Sequence, residues 1–205
     1  MTRTLGITFA AIVAVGGAFW IAPPMAQTVV SSVTKFDIDK CRYTPGKAEE
    51  DYGAWRCSGF QGIPIYATSG DMRFYVSFGR NAKNEPAARE TLASFNGEGT
   101  AIEWRSVRGA DGKLTPFAAI MRFRTSVADG DKTVPGQVLV VTRLGDGRAP
   151  GAVCRVGYVD ARANPDANVL AQKIADEYAR NFKCGSDKPV MSGKRGPGFS
   201  GPMGD

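Results

Sequence analysis

The chain reads as an α+β domain: a curved antiparallel sheet of about six to seven strands with one long C-terminal helix packed on one face. Three observations predict this. Short runs of alternating apolar and polar residues, separated by Gly, Pro, Asn and Asp, recur from Ala54 to Asp160, which is the pattern of half-buried strands. A single apolar stripe at helical spacing follows between Ala167 and Phe182. Four cysteines lie at the two ends of this region, where disulfides would tie its termini down.

The clearest strand is 72–78, in which Met72, Phe74, Val76 and Phe78 share one face and Arg73, Tyr75 and Ser77 the other. In 101–108, Ile102 and Trp104 oppose Glu103 and Arg105; in 117–125, Phe117, Ala119, Met121 and Phe123 oppose Arg122 and Arg124. Strands are also expected at 137–143 and 152–160, with two weaker ones at 54–57 and 63–67. A short helix over 84–92 would have Pro86 in its first turn. In the C-terminal helix, Asn164 is positioned to cap and Pro165 suits the first turn. Ala167, Leu170, Ala171, Ile174, Tyr178 and Phe182 form its apolar stripe, Asn168, Gln172, Lys173, Asp176, Glu177 and Arg180 its wet face, and Gly185 ends it.

Residues 1–26 combine a basic start at Arg3, an apolar run from Leu5 to Ala22 and the sequence Pro23-Pro24-Met25-Ala26. This pattern reads as a secretory signal cleaved near Ala26, with an uncleaved membrane anchor as the competing reading. The mature chain is then periplasmic or secreted, and free of the membrane once cleaved. One domain is expected over 27–185 and a flexible Gly/Pro-rich tail over 186–205. In an exported chain, four cysteines read as two disulfides, Cys41 with Cys57 and Cys154 with Cys184, each closing a local unit. The first would stabilise the fold by about 3 kcal/mol and the second by slightly more.

The absence of histidine from the chain removes imidazole triads, His-ligated zinc and a His general base. Asp129-Gly130-Asp131 and Asp146-Gly147 lie between strands, where Asp-Gly is hairpin chemistry rather than a calcium loop. Asp160, Asn164, Asp166 and Asn168 fit strand exit and helix capping, so neither a metal nor a cofactor is expected. The net charge of +6 favours anionic partners without the Lys/Arg runs of a nucleic-acid surface. Glu49-Glu50-Asp51 is a solvated acidic run, and Glu103 would stand among arginines that keep it ionised, a poor general acid. Ser58, Ser77 and Ser106 lack an activating base. No catalytic residue is assigned. In the stretch from Cys57 to Tyr66, Phe60 and Tyr66 read as covering a sheet edge.

The pairing of Cys154 with Cys184 would turn Cys154, Val156 and Tyr158 toward the helix and Arg155 away from it. Alternation then gathers Arg73, Tyr75, Arg105, Arg122, Arg124, Arg155 and also Arg143 on one uncovered sheet face, suited to bidentate contact with carboxylate, phosphate or sulfate. The competing reading pairs these arginines with Glu103 and other cross-strand neighbours. A non-enzymatic binding module for an anionic polysaccharide or envelope protein is therefore the expected function. A carboxylate-dependent envelope enzyme acting on glycans, with Glu103 and one of the nearby loop acids as its carboxylates, is the alternative.

Cys41-Arg42-Tyr43-Thr44-Pro45-Gly46-Lys47-Ala48, Glu50-Asp51-Tyr52-Gly53-Ala54-Trp55-Arg56-Cys57 and Tyr75-Val76-Ser77-Phe78-Gly79 resemble a family of exported alphaproteobacterial proteins with no assigned activity. The resemblance spans most of the mature domain and implies no catalytic residue. The overall plan is also similar to periplasmic lysozyme inhibitors at the level of fold, without an inhibitor motif.

Overall fold

The computed structural model describes residues 28–47, 51–145 and 151–203. The expected signal over 1–26, the acids Glu49 and Glu50 and the Asp146-Gly147 turn lie outside the described residues. The fold is mostly β, with 49% of residues in strands, 15% helical and one helix of 13 residues. This overturns the expected single sheet with a long helix, because the strands divide into two sheets.

The larger sheet has seven strands. These are β1 (Thr28–Lys35), β6 (Phe95–Gly97), β7 (Ala101–Arg108), β8 (Leu114–Asp129), β9 (Lys132–Arg143), β10 (Arg155–Asp160) and β11 (Val190–Ser192). Their order is β1-β7-β8-β9-β10-β11, with β6 beside the distal part of β8, and β11 runs parallel to β10. The hairpin between β8 and β9 closes at Asp129 and Lys132 through Gly130, whose φ is 58°, as its Asp-Gly sequence predicts. The smaller sheet, ordered β2-β3-β4-β5, contains β2 (Arg42–Pro45), β3 (Tyr52–Ser58), β4 (Pro64–Gly70) and β5 (Arg73–Phe78). Alternation identifies which residues of a strand share a face but not which strands are neighbours, and so it does not separate the sheets.

The larger sheet is the middle of three layers. On one side, Ile102, Trp104, Met121, Phe123, Val138, Val140 and Tyr158 pack on Ile65, Phe74, Val76 and Phe78 of the smaller sheet. On the other, Ile120, Leu139, Val141, Val156 and Val159 pack on Ala167, Ala171, Ile174, Ala175 and Ala179. Two irregularities decide which side takes which residue. A register shift between Arg105 and Ser106 opposite β8 accompanies the turning of Phe117 to the helix side, and one between Arg155 and Gly157 places Tyr158 with Arg155 on the inter-sheet side. An extra residue in a strand inverts every side chain beyond it. Tyr158 therefore does not face the helix, as simple alternation predicts.

The helix α1 (Ala167–Ile174) continues into a π-type turn at Ala175–Ala179. It starts later than expected because the Asn164 amide donates to the carbonyls of Asp160 and Lys194 instead of capping. Past the turn, Arg143 donates to the carbonyls of Ala179, Arg180 and Phe182 and satisfies groups that a longer helix would have bonded internally. Tyr178 points to solvent, while Ala175 and Ala179 take the sheet side. At 84–92 the expected helix is replaced by 3-10 turns, Ala82–Asn84 and Pro86–Ala88, the second with Pro86 in its first turn.

Both disulfides form between the cysteines their spacing pairs, Cys41 with Cys57 and Cys154 with Cys184. Gly59 is obligatory, since a Cβ there would stand 2.6 Å from the Trp104 ring.

The segment expected as a flexible tail is instead built into the fold as far as residue 203. It supplies β11 and then runs back as a strap: Gly196 N donates to Asp160, the Gly198 carbonyl accepts from Thr125 Oγ1, and Ser200 Oγ accepts from Ser94 N. Phe199 packs against the inter-sheet core, and Pro202 bridges to Leu92. Low apolar content conceals this because the strap is held by backbone and polar side-chain bonds. Ending the chain after Gly193 should lower the unfolding free energy by about 2–4 kcal/mol, read from the urea midpoint; an unchanged midpoint would show that the strap contributes nothing.

Candidate functional site

The arginines expected on one open face occupy four environments. Arg105 and Arg122 lie beneath the helix, because that face of the larger sheet is the one α1 covers. The Arg105 guanidinium bonds Asp176 through Nε at 2.9 Å and Nη2 at 2.5 Å, and donates to Ser31. Arg122 donates at 3.0 Å to both Gln137 and Asn168. Glu103 accepts from Gln172 at 2.8 Å and from Ser31. Of the helix residues expected to face solvent, Asn168 and Asp176 therefore partner the sheet arginines and Gln172 partners Glu103. A mixed polar and apolar face is buried by a helix of matching character. With these groups committed, Arg105, Arg122 and Glu103 hold the helix rather than a ligand. Arg124 is exposed beside β6, at a shallow concavity of about 250 Å³ that includes Met72 and Phe95.

Arg155 departs furthest from expectation. It is 2% exposed, between the two sheets. Nη1 donates to Thr142 Oγ1 at 2.5 Å, and Nη2 to the carbonyls of Val76 at 2.8 Å, Glu90 at 3.1 Å and Ala87 at 3.3 Å. Its backbone N–H donates to the Glu90 carboxylate. Burial pulls the guanidinium pKa below its ordinary value, while Tyr158 and Glu90 act in the opposite sense. Alternation from Cys154 and Val156 turns this cation away from the helix, and the smaller sheet packed on that face encloses it, so that it ties β10 to β5 and to the arch between β5 and β6.

That arch positions a concavity among the described residues. Glu85, buried, accepts from Val153 N and from Asn81, and Ala87 N donates to the Val153 carbonyl. Anchored there, the arch carries Lys83, Asn84 and Arg89 to the rim of a cleft of about 670 Å³ on the outer face of the smaller sheet. Its floor is aromatic. Strand register puts Tyr75 opposite Thr68, and Tyr66 opposite Arg56, all pointing outward. Tyr52 completes the wall, its hydroxyl 3.1 Å from that of Tyr66. The one acid of the lining, Asp71, is ion-paired with Arg73, whose Nε and Nη2 also donate to the Ala93 carbonyl. Lys83 and Arg89 are exposed. Such a cleft can stack a flat or ring-shaped ligand on tyrosine faces, hydrogen-bond it through phenol hydroxyls, and meet its negative groups with two cations.

Of the residues singled out from the sequence, Arg73 and Tyr75 belong to this face and Tyr75 lines the cleft. Tyr66, expected at a sheet edge with Phe60, lies in the cleft, whereas Phe60 packs toward Trp104. Tyr52, Lys83 and Arg89 were not legible as partners, since two lie in or beside 3-10 turns that no periodicity marks. No family model, curated protein or solved structure matches the chain, and no metal-binding group of His, Cys, Asp or Glu exists among the described residues.

Two outcomes test these assignments. Arg155→Met should cost about 3 kcal/mol of stability by denaturant titration, because it leaves buried carbonyls unsatisfied; a loss near zero would contradict the structural role. A double-mutant cycle of Arg105→Ala with Asp176→Ala should return a coupling of about 1 kcal/mol, and additive losses would mean that the pair does not hold the helix.

Proposed function

We propose that the protein is an exported, non-enzymatic module that binds an acidic saccharide of the cell envelope in the tyrosine cleft. The observation that carries this reading is a floor of three tyrosines, Tyr52, Tyr66 and Tyr75, beneath two exposed cations, with the only lining acid neutralised by Arg73. A volume of about 670 Å³ accommodates one or two sugar rings and lies within the range of small-molecule sites. Tyrosine offers an apolar face to sugar C–H groups and a hydroxyl to their oxygens, while Lys83 and Arg89 would favour a carboxylate or phosphate substituent. The disulfides are consistent with an oxidising compartment, and no described helix is long and apolar enough to cross a membrane. A periplasmic location is part of the proposal.

Calorimetric titration with uronate oligosaccharides and their neutral counterparts tests it. The acidic series should bind, and binding should weaken with salt. Tyr75→Ala, or the pair Lys83→Glu and Arg89→Glu, should weaken it tenfold or more with the fold intact. Equal affinity for neutral sugars, or unaffected variants, would refute the site. Shortened products appearing in the titration mixture would favour the glycan-acting enzyme instead.

A further inference from the structure

We propose that the outer edge of β1 pairs antiparallel with β1 of a second copy of this chain, joining two seven-stranded sheets across a two-fold axis at Ser31. The edges differ in how they are protected. Among the described residues, β2 is four residues long and contains Pro45 and Arg42, the β5 edge lies beneath the arch, and β11 has three residues. These are ordinary devices against edge-to-edge pairing. β1 has only one of them, a charge at its end. It is eight residues long, Thr-Val-Val-Ser-Ser-Val-Thr-Lys, lacks proline, and pairs with β7 without a bulge from Thr28 opposite Arg108 to Lys35 opposite Ala101. Its one charge, Lys35, is at the end of the strand and is ion-paired with Asp37 at 3.5 Å. Val33, near the middle, is 67% exposed.

Self-complementarity selects a second copy over a foreign strand. A two-fold axis normal to the sheet keeps each face on its own side, so residues that pair must have the same parity along the strand. Centred on Ser31, the pairing sets Val29 opposite Val33, Thr28 opposite Thr34 and Val30 opposite Ser32, each twice, and no charge falls opposite any residue of β1. Valine and threonine pairs of this kind are favourable across strands. Centring on Ser32 would place Lys35 opposite Val29 on both sides of the axis, and centring on Val30 would leave Val33 uncovered. The Ser31 register is thus the one that covers the exposed valine and sets Lys35 opposite no residue of β1. The side chains at Val29, Ser31 and Val33 lie on the helix side of the sheet, as the Ser31 contacts with Arg105 and Glu103 fix. α1 itself packs over β9, β10 and β11.

Sedimentation velocity of the full-length protein over a wide concentration range is the test, with Val33→Lys, Val33→Glu and Val169→Lys as variants. Val169 is an equally exposed valine on the helix and serves as the control. The expected result is a concentration-dependent dimer for the parent and for Val169→Lys, and dimerisation at least tenfold weaker for both Val33 variants, with unchanged circular dichroism. A parent that stays monomeric, Val33 variants that dimerise like the parent, or a co-purifying foreign chain on β1 would overturn the proposal. Saccharide binding measured on the same samples is a separate readout, so failure of one idea is distinguishable from failure of the other.

Discussion

A guanidinium buried between two sheets is the constraint on which the rest of this structure depends. Arg155 is enclosed on every side, and its Nη2 is shared among carbonyls of β5 and of the arch that follows it. A buried cation without such a shell would be strongly unfavourable. In this protein the shell consists of the Thr142 hydroxyl and the carbonyls of Val76, Ala87 and Glu90. The same bonds fix where the arch runs, and the arch in turn carries Lys83 and Arg89 to the cleft. An interior cation therefore positions exterior ones, although it never reaches the cleft itself.

The larger sheet has two faces of different character, and their coverings follow from that difference. The side bearing Trp104, Met121, Phe123 and Val140 is covered by another apolar sheet. The side bearing Arg105, Arg122 and Glu103 is covered by a helix whose near edge supplies Asp176, Asn168 and Gln172. Polar groups at the layer boundary are paired rather than excluded, which keeps the cost of burying them low. Arg105 and Arg122 are thereby committed to the helix, whereas the outer face of the smaller sheet stays uncovered, with tyrosine rather than arginine on the floor of its cleft.

The tyrosine cleft and the unguarded strand edge belong to different sheets. The cleft is made by β3, β4, β5 and the arch, whereas the edge is that of β1 on the larger sheet. Recognition of a ligand and pairing of copies would thus draw on separate side chains.

Much of the local structure was legible. The alternation in 73–78 and 101–108, the Asp129-Gly130 turn, the buried helix positions Ala167, Ala171 and Ile174 and both disulfide partners follow from spacing and residue type, because each depends on neighbours close in the chain or on cysteine chemistry. The division into two sheets, the strap over 194–203, the early end of the helix and the burial of Arg155 were not legible. Each depends on contacts distant in sequence, or on a single-residue shift that inverts the faces of a strand. The same holds for the site. Tyr75 was visible as an outward residue of a strong strand, but its partners Tyr52, Tyr66, Lys83 and Arg89 converge only when β3, β4, β5 and the arch come together. The sequence by itself determined which residues alternate, which cysteines pair and which chemistries histidine's absence removes, since these are properties of composition and short-range geometry. Only the tertiary structure decided which arginines are buried and which face remains open, since burial is settled by what packs on each face and not by the order of residues within a strand.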